Sequence, residues 1–303
     1  VLIGPVPLHE LAPHPGVAGL AIGVFDGVHL GHQAVVDSLA GPKAALTFEP
    51  HPLAVIAPDR LPPRLTTLEQ KVAYMRARGA VAVVAVKFDA ALRELSPAAF
   101  VAEVARIFPD LREVAIGANW SFGRNREGTA AQLAELAQAY KFSVKAIPPV
   151  ELDGTPVSST RIREAIAQRR FDDAAKLLGR SYAIVGTVVH GEERGRTIGF
   201  PTANLGEVEQ LLPPRGVYAA RARVAGNLTR YAAVLNLGQR PTFTSNGDVS
   251  LEVHLLDLDS DLYGQRLWIS NFAWLRDEQA FRDADALKAQ IARDVEKARA
   301  ILG

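Results

Sequence analysis

The sequence predicts two domains of different class: an N-terminal α/β unit with a Rossmann-like order of strands and helices, then a small antiparallel β-barrel with a C-terminal helix. Three observations predict this. The 303 residues exceed what one hydrophobic core usually supports. Short apolar runs alternate with helical patterns up to about residue 180. Beyond it the pattern changes to short strands parted by Gly and Pro turns. The boundary is therefore expected near Arg180, giving domains 1–180 and 181–303.

In the first domain, runs rich in Val, Ile, Ala and Phe predict strands over 20–25, 44–48, 81–86, 113–117 and 142–147. Apolar residues at three- and four-residue spacing predict helices over 67–78, 97–108 and 129–140, with Thr67 and Ser96 as N-caps. A helical stretch over 158–178 follows, stopped by Gly179. In the second domain, strands are expected over 183–190, 216–224, 231–237, 251–256 and 266–272. A long amphipathic helix over 277–302 would turn Phe281, Leu287, Ile291, Val295 and Ile301 to the barrel.

Apolar residues at 48% and charged residues at 22% mark a folded globular chain. Lys and Arg number 34 against 33 Asp and Glu, a net charge of +1, so no broad field attracts nucleic acid or an anionic membrane. Phosphate recognition must then be local. The absence of cysteine excludes disulfides, thiolate metal sites and a Cys nucleophile. Residues 1–7 carry no basic segment followed by an apolar run, and no stretch has the ~18 apolar residues of a membrane span. A cytoplasmic protein is expected, and the sequence carries no signal for its oligomeric state.

Gly23-Val-Phe-Asp-Gly-Val-His-Leu-Gly-His32 leaves a buried strand and enters a helix. Gly23, Gly27 and Gly31 allow tight turns and close approach of a ligand, and the first helical turn offers N–H groups and a positive dipole end to phosphate. His29 and His32 stand where they can donate to phosphate oxygens as charge builds on them, with no protein nucleophile required. Either histidine alone would read as structural. The stretch resembles the signature of the adenylyltransferase module of prokaryotic bifunctional riboflavin kinase/FAD synthetases, a branch of the nucleotidylyltransferases with a His-x-Gly-His motif. Thr47-Phe-Glu-Pro-His-Pro52, Arg64-Leu-Thr-Thr-Leu-Glu-Gln-Lys71 and Ser158-Ser-Thr-Arg-Ile-Arg163 resemble further motifs of that family, in the same order.

The resemblance implies that Arg161 contacts ATP phosphates, with Ser159 and Thr160 positioning the loop, and that Phe25 and Asp26 belong with the glycines to the ATP site. On their own, Ser-Ser-Thr before a helix reads as an N-cap, and Arg161 and Arg163 read equally as solvated charges; cap and anion site are compatible. Gly117-Ala-Asn-Trp-Ser-Phe-Gly123 departs from the family, with Asn119 and Trp120 where Asp and Phe are usual. Asn119, Trp120 and Phe122 are flavin-contact candidates, and Trp120 reads alternatively as a core aromatic. Glu49 likewise stands where Asp is usual.

Gly195-Arg-Thr-Ile-Gly-Phe-Pro-Thr-Ala-Asn204 lies between two expected strands and is too apolar for a solvated loop. It resembles the phosphate loop of riboflavin kinases. That resemblance implies Gly195, Arg196 and Gly199 at the ATP phosphates and Thr202 and Asn204 as ligands of the ATP-bound Mg²⁺, which takes few protein oxygens when phosphates and water supply the rest. In Leu251-Glu-Val-His-Leu-Leu256 alternation puts Glu252 and His254 on one strand face. The resemblance makes Glu252 the base for the 5′-hydroxyl of riboflavin; an isolated Glu would read as an exposed strand face, and His254 is given a supporting role. Gly216-Val-Tyr218, Asn236-Leu-Gly-Gln-Arg-Pro-Thr-Phe243, Leu262-Tyr-Gly264 and Leu275-Arg-Asp-Glu278 also fit the kinase, with Arg240 either a flavin contact or a partner of a nearby carboxylate.

The resemblance thus implies riboflavin, FMN and ATP as small-molecule partners, FMN as intermediate, FAD as product, and Mg²⁺ as cofactor, with no nucleic acid or membrane. The competing readings are a chain retaining one activity and a non-catalytic flavin-binding regulator.

Overall fold

The computed structural model describes residues 1–191, 199–239 and 249–303. Packing divides the chain into two compact units, Val1–Ser159 and Thr160–Gly303.

In the first unit β1 (Leu2–Val6), β2 (Gly19–Ile22), β3 (Lys43–Glu49), β4 (Ala80–Lys87), β5 (Glu113–Gly117) and β6 (Ser143–Ile147) form one parallel sheet in the order β1-β4-β3-β2-β5-β6. Between them run α1 (Leu30–Asp37), α2 (Pro52–Ile56), α3 (Leu68–Ala77), α4 (Ala90–Arg93), α5 (Pro97–Ile107) and α6 (Ala130–Ala137), and a hairpin of β7 (Glu151–Leu152) and β8 (Thr155–Pro156) follows. Thr67 caps α3 through a capping box with Gln70, and Ser96 caps α5, as expected. The period of two splits the strands between two cores. Leu20, Ile22, Leu46 and Val84 meet Phe100 and Val104 of α5 and Leu133 of α6, while Ala21, Ala45 and Val83 meet Val35 of α1 and Met75 of α3. Each large side chain fully buried there contributes about 1.5–3 kcal/mol.

β1 was not expected, because Gly4 and Pro5 interrupt its short run. At a sheet edge the missing N–H of proline is tolerated. β2 ends at Ile22 rather than at residue 25, because Phe25 has a positive φ of 53° and cannot continue a strand. Since β3 pairs on one side of β2 and β5 on the other, the carboxyl ends of β2 and β5 flank the switch point at which open α/β sheets bind ligands.

In the second unit α7 (Ser159–Ala167) and α8 (Phe171–Leu178) precede β9 (Ala183–Val189), β10 (Ala203–Gly206), β11 (Gly216–Val224), β12 (Tyr231–Gln239), β13 (Val249–Leu255) and β14 (Arg266–Arg276), then α9 (Ala284–Leu302). The strands close into an antiparallel barrel, β10-β13-β12-β11-β14-β9. Leu235, Leu237, Leu251 and Val253, all buried, turn inward; the alternate positions Val217, Ala219 and Val234 meet Ala298 of α9 outside. The barrel is a packed core.

Three expectations change here. Residues 158–178 form two helices, broken where Arg169 takes a φ of 59° and donates to Arg215 O and Asp277. The last helix starts at Ala284, capped by Asp283, because β14 runs on to Arg276; Phe281 lies ahead of it, under the Arg276 guanidinium. Ile301 is 53% exposed; Val295 faces the barrel as expected, and Ala298 and Leu302 face it in place of Ile301. α8 packs with the barrel, where the Phe171 ring meets Tyr218 at 5.9 Å and Phe272 at 5.6 Å.

Candidate active sites

At the carboxyl end of β2, Phe25, Gly27 and Val28 all have positive φ, at 53°, 88° and 41°. Such a backbone costs about 1–3 kcal/mol at each non-glycine and persists only when surroundings hold it. Here Phe25 and Val28 are buried at 1% and 0% exposure. The Asp26 carboxylate accepts from Leu65 N at 2.9 Å and Thr66 N at 3.1 Å, and Gly27 N donates to Thr66 Oγ1 at 3.0 Å. Ser159 Oγ donates to Asp26 O at 2.8 Å. Three stretches distant in sequence meet in this loop. A carboxylate has no proton to give an anion, so Asp26 shapes the loop rather than donating to phosphate.

His29 is the N-cap of α1: its Nδ1 accepts from His32 N at 3.4 Å. Because Nδ1 accepts, the proton of neutral His29 sits on Nε2. The two imidazoles stack with centroids 3.7 Å apart, and the His32 ring meets the edge of Phe25 at 5.3 Å. Gly31 leaves room beside them: a Cβ there would lie 3.2 Å from the His29 ring, a tight contact. Thr160 and Arg161 occupy the first turn of α7, Thr160 exposed and Arg161 half-buried.

At the end of β3, Glu49 pairs with Arg64 and lies 3.9 Å from Lys71 Nζ. Lys71 is 4% exposed. Burial holds its pKa below the usual lysine value, against the opposing pull of Glu49 and Asp26 and with the Arg64 charge adding to the lowering. At the end of β5, Asn119 is exposed and Trp120 is stacked on the buried Phe122 at 4.8 Å, both rings against Phe100. Trp120 thus packs on the core with one face and remains half-buried.

On the barrel, β10 extends to Ala203 and Asn204, so the end of the expected loop is a strand. Asn204 lies opposite Glu252, and Glu252 lies opposite Asn236. Since Val217 opposite Asn236 packs on α9, this polar row is on the outer face. Ser250 Oγ donates to Glu252 Oε1 at 3.1 Å. His254 Nδ1 lies 2.7 Å from Pro201 O, with its ring edge-on to Phe200. Gly199 turns the chain with a φ of 85°. Gly195, Arg196 and Arg240 lie outside the described residues.

The donors fit a magnesium ion that arrives with ATP. Thr202 and Asn204 offer neutral oxygens, and among the described residues no group of three or more His, Cys, Asp or Glu forms a competing cage. The Asn204 amide lies so close to Gly191 that a Cβ there would overlap it, so this approach needs glycine at position 191.

Thr66, Asn236 and Ser250 were not singled out in the sequence as site residues. Asn236 was visible as a polar residue between apolar ones on β12, but its placement beside Glu252 depends on strand register. Thr66 lies inside a motif, though nothing local points it at Gly27.

Known proteins resemble both halves of the chain. A riboflavin kinase family model matches residues 178–302, and an FAD synthetase model matches residues 12–161. The bifunctional riboflavin kinase/FMN adenylyltransferase of Escherichia coli (strain K12) is 39% identical over 98% of this chain and 96% of its own. That of Pseudomonas fluorescens is 38% identical over 97% and 96%. A crystal structure described as a macrolide-efflux protein from Streptococcus pneumoniae is 28% identical, with a TM-score of 0.80 over 99% of this chain and 98% of that one.

Proposed function

Since the chain belongs to the bifunctional riboflavin kinase/FMN adenylyltransferase family, and is an enzyme that makes FMN from riboflavin and FAD from FMN with ATP, we propose how its residues divide the work. Residues 1–180 transfer the adenylyl group and residues 181–303 phosphorylate riboflavin. Both reactions run in the cytoplasm, where ATP is made.

In the kinase reaction Glu252 accepts the proton of the riboflavin 5′-hydroxyl as that oxygen attacks the γ-phosphate. Ser250 steadies one carboxylate oxygen and leaves the other to the substrate. Thr202 and Asn204 would hold the magnesium ion that comes with ATP, and Gly195, Arg196 and Gly199 are assigned to the phosphates by the motif they spell. The chemistry that a magnesium ion would supply there is charge neutralisation at the transferring phosphate. Arg240 is assigned to the flavin from the sequence motif alone.

In adenylyl transfer the phosphate of FMN attacks the α-phosphate of ATP and pyrophosphate leaves. The Nε2–H of His29 and the imidazole of His32 donate to oxygens gaining charge, and Arg161 neutralises the phosphates. Gly23, Phe25, Gly27 and Gly31 shape the loop around them, while Ser159 and Thr160 lead into the α7 helix that carries Arg161. Asn119, Trp120 and Phe122 form a wall for the isoalloxazine ring.

The observation that carries the kinase half is the pairing of Asn204 with Glu252 across one ladder, which supports reading them as a metal ligand and a base. The test is incubation with riboflavin, ATP and Mg²⁺ and chromatographic separation of riboflavin, FMN and FAD. Parent enzyme forms both products, Thr202→Ala and Glu252→Gln form neither from riboflavin, and both variants still adenylylate added FMN. FMN formation by Glu252→Gln at the parent rate overturns the assignment of the base.

A further inference from the structure

His254 stands two residues beyond Glu252 on β13 and on the same face, opposite Val234. The β10–β13 ladder pairs Asn204 with Glu252 and Ala203 with Val253 and goes no further toward the amino end of β10. Pro201 has no N–H to continue it. At that point the His254 side chain takes over, its Nδ1 2.7 Å from Pro201 O. A carbonyl only accepts, so the ring donates, with its proton on Nδ1. The same ring meets Phe200 edge-on at 5.5 Å. Thr202 is therefore bounded by Pro201, which His254 holds, and by Ala203, which the ladder holds.

We propose that His254 is a positioning residue for metal-nucleotide binding: it ties the Phe200-Pro201-Thr202 segment to the strand carrying Glu252 and so sets Thr202 for the magnesium of Mg-ATP. The inference rests on the reading of Thr202 as a metal ligand. His254 touches neither substrate nor metal and takes no part in proton transfer. Its loss shifts the Thr202 oxygen and weakens the metal-nucleotide complex, while Glu252 and its ladder remain in register.

The test compares four full-length variants. His254→Ala removes hydrogen bond and ring contact; His254→Phe keeps the ring without the donor; His254→Asn restores a donor at about the place of Nδ1; Thr202→Ala removes the ligand itself. Binding of Mg-ADP is measured by titration calorimetry without riboflavin, alongside the Mg²⁺ dependence and riboflavin KM of the kinase reaction. His254→Ala and His254→Phe should bind Mg-ADP roughly 3- to 10-fold more weakly, the loss expected for one hydrogen bond. The Mg²⁺ requirement should rise in parallel, with riboflavin KM near the parent's, and His254→Asn should recover most of the affinity. If Thr202→Ala weakens Mg-ADP and the His254 variants do not, the inference fails while the metal reading stands. If Thr202→Ala binds like the parent, the metal reading fails and takes the inference with it. Should His254→Ala not fold, the Asn and Phe variants decide: equal affinity in the two overturns the role of the donor.

Discussion

Asn204 faces Glu252 across the antiparallel ladder of β10 and β13, on the outer face of the barrel. The two side chains assigned to opposite ends of one phosphoryl transfer are thus set by a single strand register. Glu252→Gln keeps shape and hydrogen bonding but removes the base. Riboflavin phosphorylation should fall roughly 10²- to 10⁴-fold, with added FMN still converted to FAD; initial rates with each flavin measure it.

His29 both caps α1 and, in the proposed mechanism, donates to phosphate. His29→Ala loses both roles and should cost about 1 kcal/mol of stability as well as activity. His29→Asn keeps a capping acceptor and should unfold nearer the parent, yet FAD formation should fall by about 10²-fold or more in each. His32→Ala keeps the backbone N–H used by the cap, so its loss should appear in FAD formation alone. Normal FAD synthesis in all three would make the stacked pair structural.

Burial lowers the Lys71 pKa below its usual 10.5. Between the folded value and 10.5 the unfolded chain holds more protons, so this residue makes stability rise with pH through that window. Lys71→Met removes the contribution. Urea unfolding followed as the pH is raised toward 10.5 should show a steeper gain for the parent than for the variant; parallel curves would show no burial penalty on the lysine.

Arg276 donates to Asp294 through Nε at 2.9 Å, and the Asp294 side chain is 1% exposed. Asp294→Ala leaves a largely buried guanidinium without its partner and should destabilise the barrel unit by about 3–5 kcal/mol. Trp268 and Trp274 report its unfolding when the third tryptophan, Trp120, is replaced by Phe in parent and variant. An unchanged urea midpoint would mean that α9 is held by its apolar face alone.

Phe171 packs on Tyr218 and Phe272, so α8 completes the barrel's core. A fragment of residues 160–303 should unfold at higher urea than one of 181–303, by about 3 kcal/mol or more for the lost aromatic contact. Fragment 1–180, which retains Arg161, should still form FAD from added FMN. Equal stability of the two barrel fragments would put the boundary at Arg180.

The change of hydrophobic period along the chain determined the α/β unit, the barrel and the last helix, because apolar repeats of two and of three to four are local properties. Motif spelling located His29, His32, Thr202, Asn204 and Glu252. What it left open depended on contacts between residues far apart in the chain. β1 became a strand by pairing with β4, α8 joined the barrel through Phe171, and Ile301 yielded the apolar face to Leu302 once the start and rotation of α9 were set. Asp26 became a brace for Leu65 and Thr66, and Asn236 and Asn204 came to flank Glu252, only in the folded chain. Local pattern specifies which face of an element is apolar; strand register and the rotation of a packed helix follow from the joint burial of several such faces, and that is decided by the tertiary structure.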